Sequence, residues 1–145
     1  MQLDVQHSLI EYVEGKLNIP TLWHYDGVQL ADAGGKPFIT VKQMVNSTEI
    51  LSKGREAVQT TFAFEVGLYT ESARERAKLQ DELHRLFIFD KIPLLNAETG
   101  EQRGVLTVDA PFITPIDADE LNVKTNYHRV YFDVEIRVTY NAKTY

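Results

Sequence analysis

The chain has no cysteine among its 145 residues. That excludes a disulfide framework, a thiolate zinc site and every thiol nucleophile, so a hydrophobic core has to hold the fold unaided. No apolar stretch is long enough to cross a bilayer, and Met1 to Ser8, which carries Asp4, lacks the apolar run of a signal peptide. The expectation is a cytoplasmic chain with no membrane partner. Clustered basic residues are missing too: 15 Lys and Arg stand against 21 Asp and Glu, for a formal net charge of -6. Duplex-binding proteins neutralise phosphates with grouped cations, so this balance argues against a DNA-binding surface. It suits a surface past which nucleic acid slides without sticking.

Signatures of chemistry are scarce. There is no G-x-S-x-G elbow and no H-E-x-x-H pair, and His7, His24, His84 and His128 share no metal-ligand spacing. Gly34-Gly35-Lys36 resembles a phosphate-binding loop, but Pro37 stands where Ser or Thr belongs and a strand follows, so it reads as a turn. Asp117, Asp119 and Glu120 form an acidic cluster that lacks the glycine of a calcium loop and reads as a solvated loop. Asn46-Ser47-Thr48 matches a glycosylation sequon without a secretory context in which to act. No enzyme, cofactor or metal site is expected.

What is present is ordinary globular material, 43% hydrophobic and 25% charged, at a length that suits one domain spanning residues 1–145. Leu9, Ile10, Val13 and Leu17 recur at helical spacing and predict a helix from about Val5 to Leu17, with Asp4 as its cap and Asn18-Ile19-Pro20 as its stop. Strands are expected at Thr21 to Tyr25 and Phe38 to Val45, the latter followed by a polar connection from Asn46 to Glu56. Val58, Thr60, Phe62, Phe64, Val66 and Leu68 then alternate against the residues between them, as do Val130, Phe132, Val134, Ile136, Val138 and Tyr140. Between them Ser72 and Glu75 form a capping box for a helix to about Phe89, where Asp81 and Arg85 can pair. A hairpin joins Leu94-Leu95 to Gly104–Phe112 through a turn at Asn96 to Gly100, and an acidic loop runs from Thr114 to His128. The fold class is α+β: a mainly antiparallel sheet with long amphipathic strands, one face covered by two helices and the other wet.

Two surfaces are candidates for function. Glu65, Asp133 and Glu135 make the wet face net acidic beside Arg137. The connection after the second strand, with Ser47, Ile50, Leu51, Lys53 and Arg55, places an apolar pair among polar residues at a projecting tip that can anchor a partner. Long strands with projecting hairpins commonly reach into a neighbouring subunit, so subunit contacts are the first functional expectation.

The order of elements carries a resemblance. An N-terminal helix, a strand pair running into Phe62-Ala63-Phe64-Glu65-Val66, a capped helix from Ser72, Val105 to Val108, and a closing strand ending Val134-Glu135-Ile136-Arg137-Val138-Thr139-Tyr140 together resemble the tail-terminator, or tail-to-head joining, proteins of tailed bacteriophages. The likeness rests on order and strand texture, and no catalytic residue transfers. It implies a homo-oligomeric, usually hexameric, ring that ends the tail tube in the virion, meets the tail tube protein and the head connector or stopper protein, and passes DNA through its lumen. On that expectation Glu65, Asp133, Glu135 and Arg137 face the channel. The connection holding Ser47, Ile50, Leu51, Lys53 and Arg55 meets adjoining rings, as does the loop holding Asp117, Asp119 and Glu120. The alternatives are another neck, tail-completion or connector protein, and a small cellular ligand-binding α+β domain.

Overall fold

Alternating side chains make a strand when one side of it is buried, and two such runs organise the molecule. The computed structural model describes residues 1–23, 37–116 and 128–141. They form α1 (Gln2–Leu17), β1 (Thr21–Trp23), β2 (Phe38–Gln43), β3 (Ser47–Ile50), β4 (Ala57–Thr70), α2 (Ala73–Phe89), β5 (Ile92–Leu95), β6 (Gln102–Leu106), β7 (Val108–Ile116) and β8 (His128–Asn141). The main sheet has the order β1-β2-β4-β8-β7 with β3 also paired to β4, and β5 and β6 form a separate hairpin. Every pairing is antiparallel except β1 with β2. The fold is therefore α+β with a mostly antiparallel sheet, as the alternation implied.

β4 and β8 are each 14 residues long and pair along their whole length, from Ala57 opposite Asn141 to Thr70 opposite His128. Phe62, Phe64, Val66 and Leu68 of β4 lie buried beside Val130, Phe132, Val134 and Ile136 of β8, and both helices pack on this face. Phe87 of α2 meets Phe132 edge-on at 5.5 Å, and Trp23 meets Phe64 at 6.4 Å. Toward the other end of the ribbon Val58 and Thr60 are only half-buried, and all of β3 beside them is exposed. The ribbon thus projects beyond its helical cover.

Helix α1 begins at Gln2, earlier than its spacing predicted, and Asp4 is not its cap. Asp4 instead accepts from the Ala97 N–H at 2.9 Å and from Arg103 at 3.2 Å. One turn on, Ser8 Oγ accepts from the Leu95 N–H at 2.8 Å, and a turn further Tyr12 donates to Asp90 at 2.8 Å. The i, i+4, i+8 row of Asp4, Ser8 and Tyr12 fastens the segment leading into and around the β5–β6 hairpin, while Val5, Leu9 and Val13 beside it enter the core. The helix stops where expected, with Asn18 in the left-handed region at φ 56. Helix α2 opens with Ser72 Oγ accepting from the Glu75 N–H at 3.1 Å. Glu75 reaches back to the N–H of Glu71, one residue before the partner that a reciprocal capping box uses.

Three further expectations are corrected. The run Gly104–Phe112 is two strands, because the chain leaves the β5–β6 hairpin at Thr107 and joins the main sheet as β7. The connection 46–56 is not merely a loop: Ser47–Ile50 pair with β4, and the hairpin closes through the Leu51 N–H on the Ala57 carbonyl at 2.9 Å. The face expected to be wet throughout is buried at one end, where Phe38 stacks on Tyr69 at 4.6 Å and the two are 1% and 2% exposed.

Candidate functional site

Pairing register decides which charges become neighbours on the open part of the solvent face. Glu65 lies directly opposite Asp133, and on its other side opposite Lys42 of β2. One step along, Glu135 lies between Ala63 and Asp109 of β7, and beyond it Arg137 faces Thr61. The four residues singled out in the sequence, Glu65, Asp133, Glu135 and Arg137, are therefore brought together, with Lys42 and Asp109 added by the strands on either flank. Arg137 bonds Asp109 at 2.8 Å and approaches Glu135 at 3.6 Å, with all three side chains at least 40% exposed. Such exposed pairs contribute little stability. The patch sets four carboxylates against two cations, and the directly opposed Glu65 and Asp133 have like charge, a cross-strand pairing that costs some stability. Phe112, 65% exposed, lies opposite Asp133 at the patch's margin.

The patch ends at an aromatic cluster. Tyr69 and Tyr131 hydroxyls lie 3.4 Å apart, Arg129 donates to Tyr131 at 3.3 Å, and its guanidinium sits 5.4 Å from the Tyr69 ring centre. Burial, then the hydrogen bond with Tyr131, raises the pKa of Tyr69 well above its ordinary value. Burial, followed by the hydrogen bond to Asp90, also raises that of Tyr12. Both phenols are tied into structural contacts.

At the far end of the ribbon, Ile50 and Leu51 are 50% and 49% exposed, as the sequence anticipated, and Ser47 and Lys53 are exposed with them. The side chain of Arg55 lies outside the described residues, and so do Asp117, Asp119 and Glu120, His24 and Gly34-Gly35-Lys36. Two apolar residues of the same edge escaped sequence reasoning: Met44 and Val45, the latter 88% exposed. The sequence predicts a regular strand through Val45, whereas the chain bulges there. From Gln43 to Ser47 the edge advances four residues while β4 moves three, from Phe64 to Thr61. Asn46 fills the gap, its Oδ1 accepting from the Ala63 N–H at 3.1 Å and its Nδ2 donating to Gln2 at 2.7 Å.

The chain matches no protein-family model and no curated protein. Among the described residues no three His, Asp or Glu side chains are grouped to hold a metal, and no helix is long and apolar enough to cross a membrane. An open cleft of about 370 Å³ lies between the end of α1 and the start of α2, floored by Leu17, Ile19 and Leu79 and rimmed by Arg74 and Lys78. Neither raised phenol lines it. Ser72 and Glu75 also line it, and both are engaged in capping α2: Ser72 Oγ accepts from the Glu75 N–H and Glu75 from the Glu71 N–H.

Proposed function

We propose that this protein is a structural component of a tailed-phage virion. In this reading it is one subunit of a ring that ends the tail tube, joins it to the head connector and lets DNA through its lumen. The observation that supports this reading is the β4–β8 ribbon, which projects past its helices and carries the acidic patch on its open face. At about 3.3 Å per residue a strand of 14 residues reaches about 46 Å, which is more than two helices of about 10 Å diameter lying side by side span. A strand this long, with one side left to solvent, has surface in excess of what its own core uses. Carboxylates along a channel repel phosphates and keep a moving duplex from sticking, which explains why Glu65 and Asp133 can face each other at some loss of stability. The apolar tip residues Ile50 and Leu51, with Met44 and Val45, supply surface for neighbouring tail and head proteins.

Electron microscopy of the purified protein, alone and mixed with assembled tails, tests this directly. Rings with a central channel, or density added at one end of the tails, are expected. A chain that stays solitary, ignores tails and takes a small metabolite into the cleft between its helices would end the proposal in favour of a ligand-binding domain.

A further inference from the structure

The two edges of the main sheet differ in their protection. On one side β7 carries Pro111 and Pro115 and a register shift between Asp109 and Phe112, devices that stop another strand from pairing. On the other side β1 covers only Ile39 to Val41 of β2, so the outer side of β3 has no strand partner among the described residues. β3 contains no proline and all four of its residues are exposed, so its guards are its shortness, the bulge before it and the charge of Glu49. The bond from Leu51 to Ala57 fixes the phase of the ladder. Ser47 and Glu49 turn their backbone groups toward β4, while Thr48 and Ile50 turn theirs outward. Exposed apolar side chains, Val45 on one side and Ile50 and Leu51 on the other, flank this outward row.

We propose that β3 is a self-recognition edge, at which a second copy of this chain adds its own β3 antiparallel across a two-fold axis. An unpaired row of N–H and C=O groups is complementary to another extended backbone, and a two-fold contact needs a patch that complements itself. Outward residues must meet outward residues, and the registers that overlap most of β3 in this way centre on Thr48 or on Glu49. Centring on Glu49 sets two carboxylates directly against each other, a repulsive arrangement. Centring on Thr48 places Glu49 beside Ser47 of the second copy and Val45 beside its Leu51, so the charge is relieved and the apolar residues are covered. A two-fold pair closes on itself and builds no ring. The inference therefore stands apart from the ring reading. Where both hold, the pair masks Ile50 and Leu51 and is a stored form that assembly has to open.

Sedimentation of the full chain over a concentration series tests the contact. A monomer–dimer equilibrium is expected. Thr48 is exposed, so Thr48→Asp and Thr48→Lys leave the fold intact by circular dichroism. Each places like charges face to face at the axis and weakens pairing by about tenfold or more. An equimolar mixture of the two pairs again, since opposite charges then meet. Amide exchange in the unaltered protein supplies a readout that needs no variant, with Thr48 and Ile50 slowing as concentration rises. A monomer at every concentration overturns the proposal. So does a dimer that both substitutions leave unchanged, a hexamer formed without a dimer, or exchange at Thr48 and Ile50 that ignores concentration.

Discussion

Gly67 sits where the sheet's solvent face turns into the buried aromatic cluster. A Cβ there would lie 2.8 Å from Thr40 Oγ1 and 3.1 Å from both Tyr131 Cε1 and Tyr69 Cε2. The neighbours are a short side chain and two rings held by packing, so none can withdraw freely. Gly67→Ala is expected to lower stability by about 1–3 kcal/mol through overpacking, read from the urea midpoint. A neutral result would mean the cluster is loosely packed. The same cluster makes the protein sensitive to alkali. Because burial raises the folded-state pKa of Tyr69 above the ordinary 10.0, the fold holds the phenolic proton more tightly than the unfolded chain does. That contribution is complete below pH 10 and is lost as the pH climbs toward the raised value. Urea midpoints measured at pH 8 and pH 11 should fall less in Tyr69→Phe than in the unaltered protein; an equal fall in both would place the alkaline weakness elsewhere.

At the scale of elements, Asn46 has the largest consequence for its size. Its side chain replaces a ladder bond at the bulge and ties the edge of the sheet to the first turn of α1. Asn46→Ala leaves the part-buried Ala63 N–H without that acceptor and should cost about 1–2 kcal/mol. Asn46→Asp keeps the acceptor and should recover part of the loss, with faster amide exchange at Ala63 in the alanine variant alone. Deleting Ser47 to Glu56 removes all of β3 and its pairing with β4 at once, so point substitutions are the way to probe this edge. The bulge also explains what was legible in the sequence. β4 and β8 announce themselves because burying one side imposes period two over their buried spans. β3 does not, because the extra residue before it resets the alternation and its four residues are polar or exposed. The role of Asp4 was hidden for a related reason: an acidic residue near a helix start reads equally as a cap or as an anchor, and only the fold brings Ala97 and Arg103 beside it.

For the whole molecule, alternation placed Glu65, Asp133, Glu135 and Arg137 on one side, but register alone made Glu65 and Asp133 opposed and recruited Lys42 and Asp109. No single-sequence pattern encodes which strands lie side by side, so that part of the patch could be seen only in the fold. Its charge leads to a test of what the face is for. These side chains are exposed or half-buried and carry little of the core, so replacing Asp133 and Glu135 together with Lys should leave the fold unchanged by circular dichroism. The unaltered protein should fail to retain duplex DNA even at low salt, because an acidic face releases no counterions from phosphate. The double variant should retain it at about 50 mM salt and lose it by about 200 mM, the dependence expected when lysines neutralise phosphates. Retention by the unaltered protein at low salt would contradict a repelling face, and with it the proposed lining of a DNA channel, whatever the oligomeric state.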